Sequence, residues 1–247
     1  QLAVMRSTLM PGLIANIRYN SNRKQTRARV FELGRVFSRD DTVPDGPLTV
    51  AGVHQPQFLA GAAWGPFAED QWGMAGRNVD FYDVKHDVET LFASRASELQ
   101  FVKDTHPALH PGQSARIVLA GQAIGWLGTM HPKWVQEQEF SSAPVMFEVS
   151  LDALQAVPMP NVQELSRQPI VQRDMAVWVA ADKPVGALLE TIKATIAAHP
   201  ELAVVRDVRL FDVWRDKSAE AGADGAKEKS LAFRFWLQDT DVTLDDA

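Results

Sequence analysis

Hydrophobic residues in the first 150 positions change from helical to strand-like spacing several times. Apolar residues that recur on one helical face after Pro11 predict a helix over residues 10–22. The dense apolar run 29–37 predicts a buried strand with a bulge at Gly34, whereas residues 55–76 have weak periodicity and predict a loop or short helix. The other elements predicted in this half are strands at 48–54, 101–105, 115–119, 123–129 and 145–151 and helices at 83–99 and 132–138.

The rest of the chain has a simpler pattern. Residues 154–166 contain two prolines and no strong period, which predicts a linker. The elements predicted after it are strands at 170–180, 204–214 and 230–238, a helix at 185–198, a long loop at 216–228 and a helix capped by Thr243. This order opens a βαββαβ ferredoxin-like unit, and we expect its last helix body and last strand to be missing from the sequence.

The predicted strand that ends at Trp214 places a carboxylate beside a large aromatic ring. Alternation puts Asp212 and Trp214 on one face and Phe211 and Val213 on the other. On an open sheet face, an indole can stack on an unpaired base while a carboxylate accepts a hydrogen bond from that base. An aromatic residue is more commonly part of a core, so the pattern alone leaves both interpretations open.

Composition excludes some kinds of site and favours one compartment. The chain has 247 residues, enough for two domains. It has no cysteine, which excludes disulfides and thiolate metal sites and favours a reducing cytoplasm. No apolar run has the length that a bilayer requires. Residues 1–10 lack the features of a signal peptide and look like the inside of a domain, so we expect a fragment of a longer protein.

The net charge of -6 argues against non-specific nucleic-acid binding, but the charge is unevenly distributed. Residues 5–39 contain one acid, Glu32, among the cations Arg6, Arg18, Arg23, Lys24, Arg27, Arg29, Arg35 and Arg39. Such a cluster can meet phosphates or an acidic partner subunit, or it can be a solvated helix face and strand edge. Charge alone favours the solvated surface, because surface charge is common.

The sequence contains little catalytic chemistry. It has no Gly-rich phosphate loop, no H-E-x-x-H spacing and no local signature of a nucleophile. His106, His110 and His131 each precede a proline, which is compatible with a metal or acid–base site or with turn residues. Because no carboxylate or fourth ligand accompanies them at a useful spacing, the turn interpretation is favoured.

A series of short motifs, in the same order along the chain, resembles the β subunit of bacterial phenylalanyl-tRNA synthetase. The motifs are MRSTLMPGL at 5–13, FELGRVF at 31–37, DFYDVK at 80–85, LHPG at 109–112, GWLG at 125–128, RDMA at 173–176, LFDVW at 210–214 and KSLAFR at 229–234. Each motif is weak alone, but together they cover nearly the whole chain and are specific.

This resemblance implies an α+β chain with two modules. The first, residues 1–152, is similar to the family's class II synthetase-like core, an antiparallel sheet flanked by helices that is catalytically degenerate. The second, residues 167–247, is similar to the ferredoxin-like anticodon-binding domain, incomplete at the C-terminus, with residues 153–166 as the linker. The absence of a G-x-G-x-G-x-x-R stretch agrees with a core that does not bind ATP.

The resemblance also implies a role, partners and site residues. The family attaches phenylalanine to tRNA(Phe) with ATP, and its β subunit packs on a catalytic α subunit in a cytoplasmic assembly of two α and two β chains. The positions that match its anticodon-reading residues are Ala176, Asp212, Trp214 and Ser230. Asp212 would accept from the guanine at the first anticodon base and Trp214 would stack on it, where the family usually has Tyr.

Because the family's catalytic subunit is the α subunit, the resemblance implies that this fragment is not catalytic itself. ATP and Mg²⁺ serve the whole enzyme, and we expect no cofactor, metal or catalytic residue in this fragment and no membrane partner. A free-standing RNA-binding regulator built from the same two modules is the alternative. A third hypothesis, an enzyme that uses the first module as its active site, predicts ATP-dependent amino-acid activation by the isolated chain.

Overall fold

The computed structural model describes residues 4–157, 159, 165–215 and 228–244 of the chain. Contacts within the chain divide it into two compact units, Gln1–Pro160 and Asn161–Ala247. Much of the predicted linker, nearly all of the predicted 216–228 loop and the helix expected after Thr243 lie outside the described residues. The Thr243 hydroxyl itself donates to Oε1 of Gln168 at 2.8 Å.

The first unit contains a six-stranded antiparallel sheet with helices. Its elements are α1 Met10–Ser21, β1 Ala28–Arg35, β2 Ser38–Arg39, β3 Val53–His54, β4 Gln57–Trp64, α2 Phe81–Leu91, β5 Leu99–Lys103, β6 Leu109–Leu119, β7 Gln122–Met130, α3 Pro132–Glu137, β8 Val145–Ser150 and α4 Leu151–Gln155. The strand order is β1-β4-β8-β7-β6-β5, and β2 pairs with β3 separately. The helices predicted after Pro11 and at Pro132 and the predicted hairpin of β6 and β7 are confirmed.

The strand β4 lies between the edge strand β1 and β8, and its residues 60–64 are buried. One face packs with Leu13 and Ile17 of α1, and the other packs with Val88 of α2. The prediction of a loop or short helix over residues 55–76 is therefore wrong for residues 57–64. A strand covered on both faces needs no polar alternation, so its sequence lacks the period by which strands are found.

The strand β1 is an edge strand, and the prediction of a buried strand is wrong, because its residues alternate between half-buried and exposed positions. Phe31 is 78% exposed and Leu33 is 54% exposed. The predicted bulge at Gly34 is also absent, because the register with β4 runs without a shift. Gly34 instead leaves room for Arg6, whose guanidinium would collide with a Cβ atom at this position.

Several predicted boundaries in the first unit differ from those in the structure, and the strand predicted at 115–119 begins at Leu109. The strand predicted at 48–54 is reduced to Val53–His54, because isolated bridges shape the preceding residues into turns. The helix predicted at 83–99 begins at Phe81 and ends at Leu91, and a short 3-10 helix over Ala93–Glu98 follows. A capping box fixes the helix start, since the Asp80 carboxylate accepts from the amides of Tyr82 and Asp83.

The second unit has three antiparallel strands and one α-helix among its described residues. They are β9 Val171–Ala180, α5 Val185–Ala198, β10 Val205–Trp214 and β11 Glu228–Leu237, with a short 3-10 helix over Pro200–Val204. The sheet order is β10-β11-β9, so the strand that comes last in the sequence lies in the middle. The predicted order of strand, helix, strand and strand is confirmed, in agreement with the opening of a ferredoxin-like unit.

Alternation along β11 separates a buried face from a half-buried one. Leu231 and Phe233 are buried, and their register partners on β9 are Val177 and Met175. Lys229 shares this face and is also buried, with its Nζ donating to the carbonyls of Ala181 at 2.9 Å and Lys183 at 2.6 Å. The lysine thereby fastens the turn between β9 and α5 to the central strand.

Candidate nucleic-acid interface

The opposite face of this sheet, here called the open face, carries aromatic, small and charged residues in cross-strand rows. Ser230 on the central strand is the register partner of Trp214 on β10 and of Trp178 on β9. The rings of the two tryptophans have centroids 5.5 Å apart and planes inclined by 81°. This row therefore presents two indoles that meet almost at a right angle.

The second row of the open face is formed by small residues and one acid. Ala232 on β11 is the partner of Ala176 on β9 and of Asp212 on β10. Asp212 is exposed, and it lies two residues from Trp214 on the same strand and face. The two rows together place a carboxylate acceptor next to an aromatic surface, with methyl groups and a hydroxyl beside them.

The third row of the open face is a pair of charged side chains in a fixed geometry. The guanidinium of Arg234 donates to both carboxylate oxygens of Asp174, each at 2.8 Å. Because Arg234 bonds directly to this carboxylate, the pKa of Asp174 is lowered from its ordinary value. Arg209 stands opposite Arg234 on β10 and donates to Asp207 at 2.7 Å. The cations of this row are thus already engaged by acids.

A bulge in β10 changes one predicted side-chain position. The register jumps between Leu210 and Asp212, so Phe211 is an extra residue opposite β11. Its ring centroid lies 4.8 Å from the guanidinium carbon of Arg234, which belongs to the open face. The prediction that Phe211 shares a face with Val213 is therefore wrong, since simple alternation fails at a bulge.

The structure brings the four residues of the expected site together. Ala176, Asp212, Trp214 and Ser230 occupy the first two rows of the open face, although they come from three strands. Sequence reasoning missed Trp178 as a member of this group. The signal was present, because Trp178 follows Ala176 by two residues in an alternating strand and must share its face.

Each of the three histidines that precede prolines accepts a hydrogen bond at its ring from the backbone amide two residues later. Ring Nδ1 of His106 accepts from the amide of Ala108, that of His110 from Gly112, and that of His131 from Lys133, at 3.0–3.2 Å. The interpretation as turn residues is confirmed for His106, whose carbonyl accepts from the amide of Leu109, whereas His131 caps the start of α3 and His110 lies within β6. Burial, followed by the charge of Arg116, lowers the pKa of His106.

The basic cluster near the N-terminus largely has partners within its own unit. Arg6 pairs with Glu32, Arg29 with Asp87 at 3.0 Å and Arg39 with Asp41 at 3.1 Å. The remaining contacts include Arg23 over the ring of Tyr19 and Arg27 near Glu69. These pairings favour the solvated-surface interpretation over a phosphate-binding patch.

The first unit has an apolar groove and a buried acid. The groove, of about 760 Å³, is lined by side chains that include Met10, Ile14, Ala15, Tyr19, Met130 and Trp134. Below α1, the carboxylate of Glu148 accepts from the Thr8 hydroxyl at 2.8 Å and the Leu9 amide at 2.6 Å. Burial raises the pKa of Glu148 against the effect of these hydrogen bonds.

The fold and the open face define a class of protein. Residues 166–247 match the family described as "Ferredoxin-fold anticodon binding domain", which places the second unit in a class of anticodon-binding domains. Residues 1–151 match the family described as "Phenylalanyl tRNA synthetase beta chain CLM domain". The chain therefore belongs to the phenylalanyl-tRNA synthetase β chain family.

Curated relatives agree with this assignment. The chain is 59% identical to the phenylalanine–tRNA ligase beta subunit of Bordetella parapertussis and 51% identical to that of Cupriavidus pinatubonensis. Both matches cover 100% of this chain and 30% of the relative, so the chain spans less than a third of their length. Both relatives are named as the beta subunit of a ligase.

Solved structures with a related arrangement are more distant. Two structures of pyrrolysyl-tRNA synthetase from Desulfitobacterium hafniense match 61% of this chain and 47% or 48% of theirs. Sequence identity is 14% in both cases, with TM-scores of 0.41 and 0.43. In the part of the chain that the structure describes, no helix is long and apolar enough to cross a membrane.

Proposed function

We propose that this chain forms the part of phenylalanyl-tRNA synthetase that reads the anticodon of tRNA(Phe) and supports the catalytic α subunit. The proposal rests on one observation above all. Ala176, Asp212, Trp214 and Ser230 come from three strands and converge on two adjacent rows of one exposed sheet face. Convergence of a carboxylate, a hydroxyl and an indole at the surface suits the reading of an unpaired base.

Each of these side chains contacts or accommodates a guanine in a different way. The indole of Trp214, half-exposed, stacks on the base, a contact that contributes about 1–3 kcal/mol. Asp212 is an acceptor for the N–H groups on the guanine edge, because a carboxylate offers only acceptors. The hydroxyl of Ser230 can donate or accept beside the ring, and Ala176 leaves space for the base.

The first unit supports the α subunit and takes no catalytic role in this proposal. In this proposal ATP and Mg²⁺ act elsewhere in the enzyme, and no residue of this chain is assigned to them. The assembly has two α and two β chains and works in the cytoplasm.

Two apolar surfaces of the first unit are suited to the α subunit. One is the groove beside α1, whose walls include Ile14, Met130 and Trp134. The other is the edge strand β1, where Phe31 and Leu33 are exposed. Apolar surfaces of this kind on a folded protein commonly mark protein contacts. The contacts would also cover the free edge of β1.

The anticodon assignment is tested by binding of tRNA(Phe) to the native synthetase that carries Trp214→Ala or Asp212→Asn in its full-length β chain. We expect each change to weaken binding by about 1–3 kcal/mol. The matched control is Trp72→Ala, since Trp72 is 103% exposed and lies in the first unit. Unchanged binding by both site variants removes the assignment.

The partner assignment is tested by assembly of the full-length β chain with purified α subunit. Ala15→Arg fills the groove from an exposed helix position, and Phe31→Arg places a charge on the edge strand. We expect at least one of them to reduce assembly and charging, whereas Ala194→Arg, on α5 in the second unit, does not. A free-standing RNA-binding regulator would not restore charging when α subunit is added.

A further inference from the structure

The two tryptophans of the open face remain largely exposed to solvent although their rings are in contact. Trp178 is 60% exposed and Trp214 is 50% exposed, with their planes inclined by 81°. An indole that serves only to pack would be expected to lose most of its contact with water, since burial of its apolar area is favourable. Each ring of this pair instead presents its own exposed surface on the same side of the sheet.

We propose that Trp178 forms a second base-binding subsite, for a nucleotide adjacent in the RNA to the one that stacks on Trp214. This inference rests on the proposed function, because it extends the same binding face. Two bases that stack on each other are parallel, so they cannot both lie flat on indoles inclined by 81°. The pair therefore binds two neighbouring bases that are no longer stacked on each other. Proteins commonly recognise single-stranded loops through unstacked bases of this kind.

The neighbours of Trp178 leave such a base room but offer it little edge recognition. Along β9, the residue next to Trp178 on the open face is Ala176, and the acid beyond it, Asp174, is held by Arg234. Asp212 lies on the other edge strand, beside Trp214. The second subsite is consequently a stacking surface, which accepts any base and prefers the larger face of a purine.

The experiment uses the native synthetase with full-length β chains that carry Trp178→Ala, Trp214→Ala, both changes, or Trp178→Phe. Binding is measured with tRNA(Phe) and with anticodon hairpins in which one loop nucleotide at a time is abasic. We expect Trp178→Ala to weaken binding about 5- to 100-fold, and Trp178→Phe to retain most of the affinity. Trp72→Ala is again the control for loss of an exposed indole.

The second subsite predicts that the double variant binds more weakly than either single variant. It also predicts that each single substitution loses its effect on hairpins that are abasic at a different loop nucleotide. If the effect of Trp178→Ala disappears in the Trp214→Ala background, or both map to one nucleotide, Trp178 only steadies Trp214 and the inference is wrong. If Trp214→Ala weakens binding and Trp178→Ala does not, this inference fails while the proposed function stands. If Trp214→Ala and Asp212→Asn both leave binding unchanged, the proposed function itself fails.

Discussion

The aromatic ring of Phe147 lies against Gly61 on the neighbouring strand, where a Cβ atom would come closer than 3.0 Å to the ring. The two residues are direct register partners in the pairing of β4 with β8. Phe147 is buried and packs in the cluster that includes Val84 and Val88 of α2. The absence of a side chain at Gly61 is thus a condition for the position of this ring.

We therefore expect Gly61→Ala to lower the free energy of unfolding of the first unit by about 1–3 kcal/mol, because a well-packed core must shift to admit the methyl group. Urea denaturation followed by tryptophan fluorescence measures the change. Gly73→Ala is the control, since nothing lies within 4 Å of a Cβ atom there. The double variant Gly61→Ala with Phe147→Leu should recover part of the loss, and a lack of recovery would contradict the packing argument.

The buried carboxylate of Glu148 predicts a pH dependence of stability. Burial raises the pKa of Glu148 in the folded state above its unfolded value, so the folded state holds this proton more tightly. The free energy of unfolding contributed by this group therefore falls as pH rises from the unfolded pKa through the folded pKa. Glu148→Gln should remove this slope in urea titrations that start near the ordinary glutamate pKa of about 4 and proceed to higher pH. Glu137→Gln, at an exposed position on α3, serves as control, and an equal slope in parent and Glu148→Gln would contradict the prediction.

Removal of the buried ammonium of Lys229 should lower the stability of the second unit. Lys229→Met keeps the apolar stem but removes the donors to the carbonyls of Ala181 and Lys183. We expect a loss of about 1.5–3 kcal/mol, typical of hydrogen bonds from a charged group. Hydrogen exchange in β11 and α5 measures the local effect. The control is Lys183→Met, an exposed substitution in the same turn, which should change the protection little. Equal protection in Lys229→Met and the parent would contradict this account.

The pairing of charges on the open face predicts how RNA binding depends on salt. Arg234 is engaged by Asp174 and Arg209 by Asp207, so these cations are poorly available to phosphates. Trp214→Ala in the native synthetase should lower the affinity for tRNA(Phe) while leaving the slope of log K against log salt unchanged. Binding measured from about 50 to 200 mM salt tests this. A slope reduced by about one would indicate a lost phosphate contact instead.

The parts of the fold that followed from the sequence are those in which one face is buried and the other is not. The strand β11 is an example, because Leu231 and Phe233 alternate with Ser230 and Ala232 and the structure buries only the first pair. The helix α5 was predicted with the observed bounds, Val185–Ala198, since its apolar residues recur on one side. Periodicity reports such an asymmetry directly.

Other parts could not be predicted because their cause is not local. The strand β4 is covered by α1 on one face and α2 on the other, and these helices are distant from it in the sequence. The position of Phe211 depends on a bulge, which is defined by pairing with another strand. The four expected site residues were named from a family resemblance, and the pairing of Trp178 and Trp214 with the same residue, Ser230, is defined only by the contacts between strands.

The central position of β11 has a consequence for synthesis on the ribosome. Trp178 and Trp214 lie on strands that do not pair with each other, and both pair with β11, which is made after them. Until Ser230 has left the exit tunnel, the two indoles have no backbone frame that holds them together. A nascent chain arrested before this strand would hold both tryptophans and still be unable to grip an RNA loop between them.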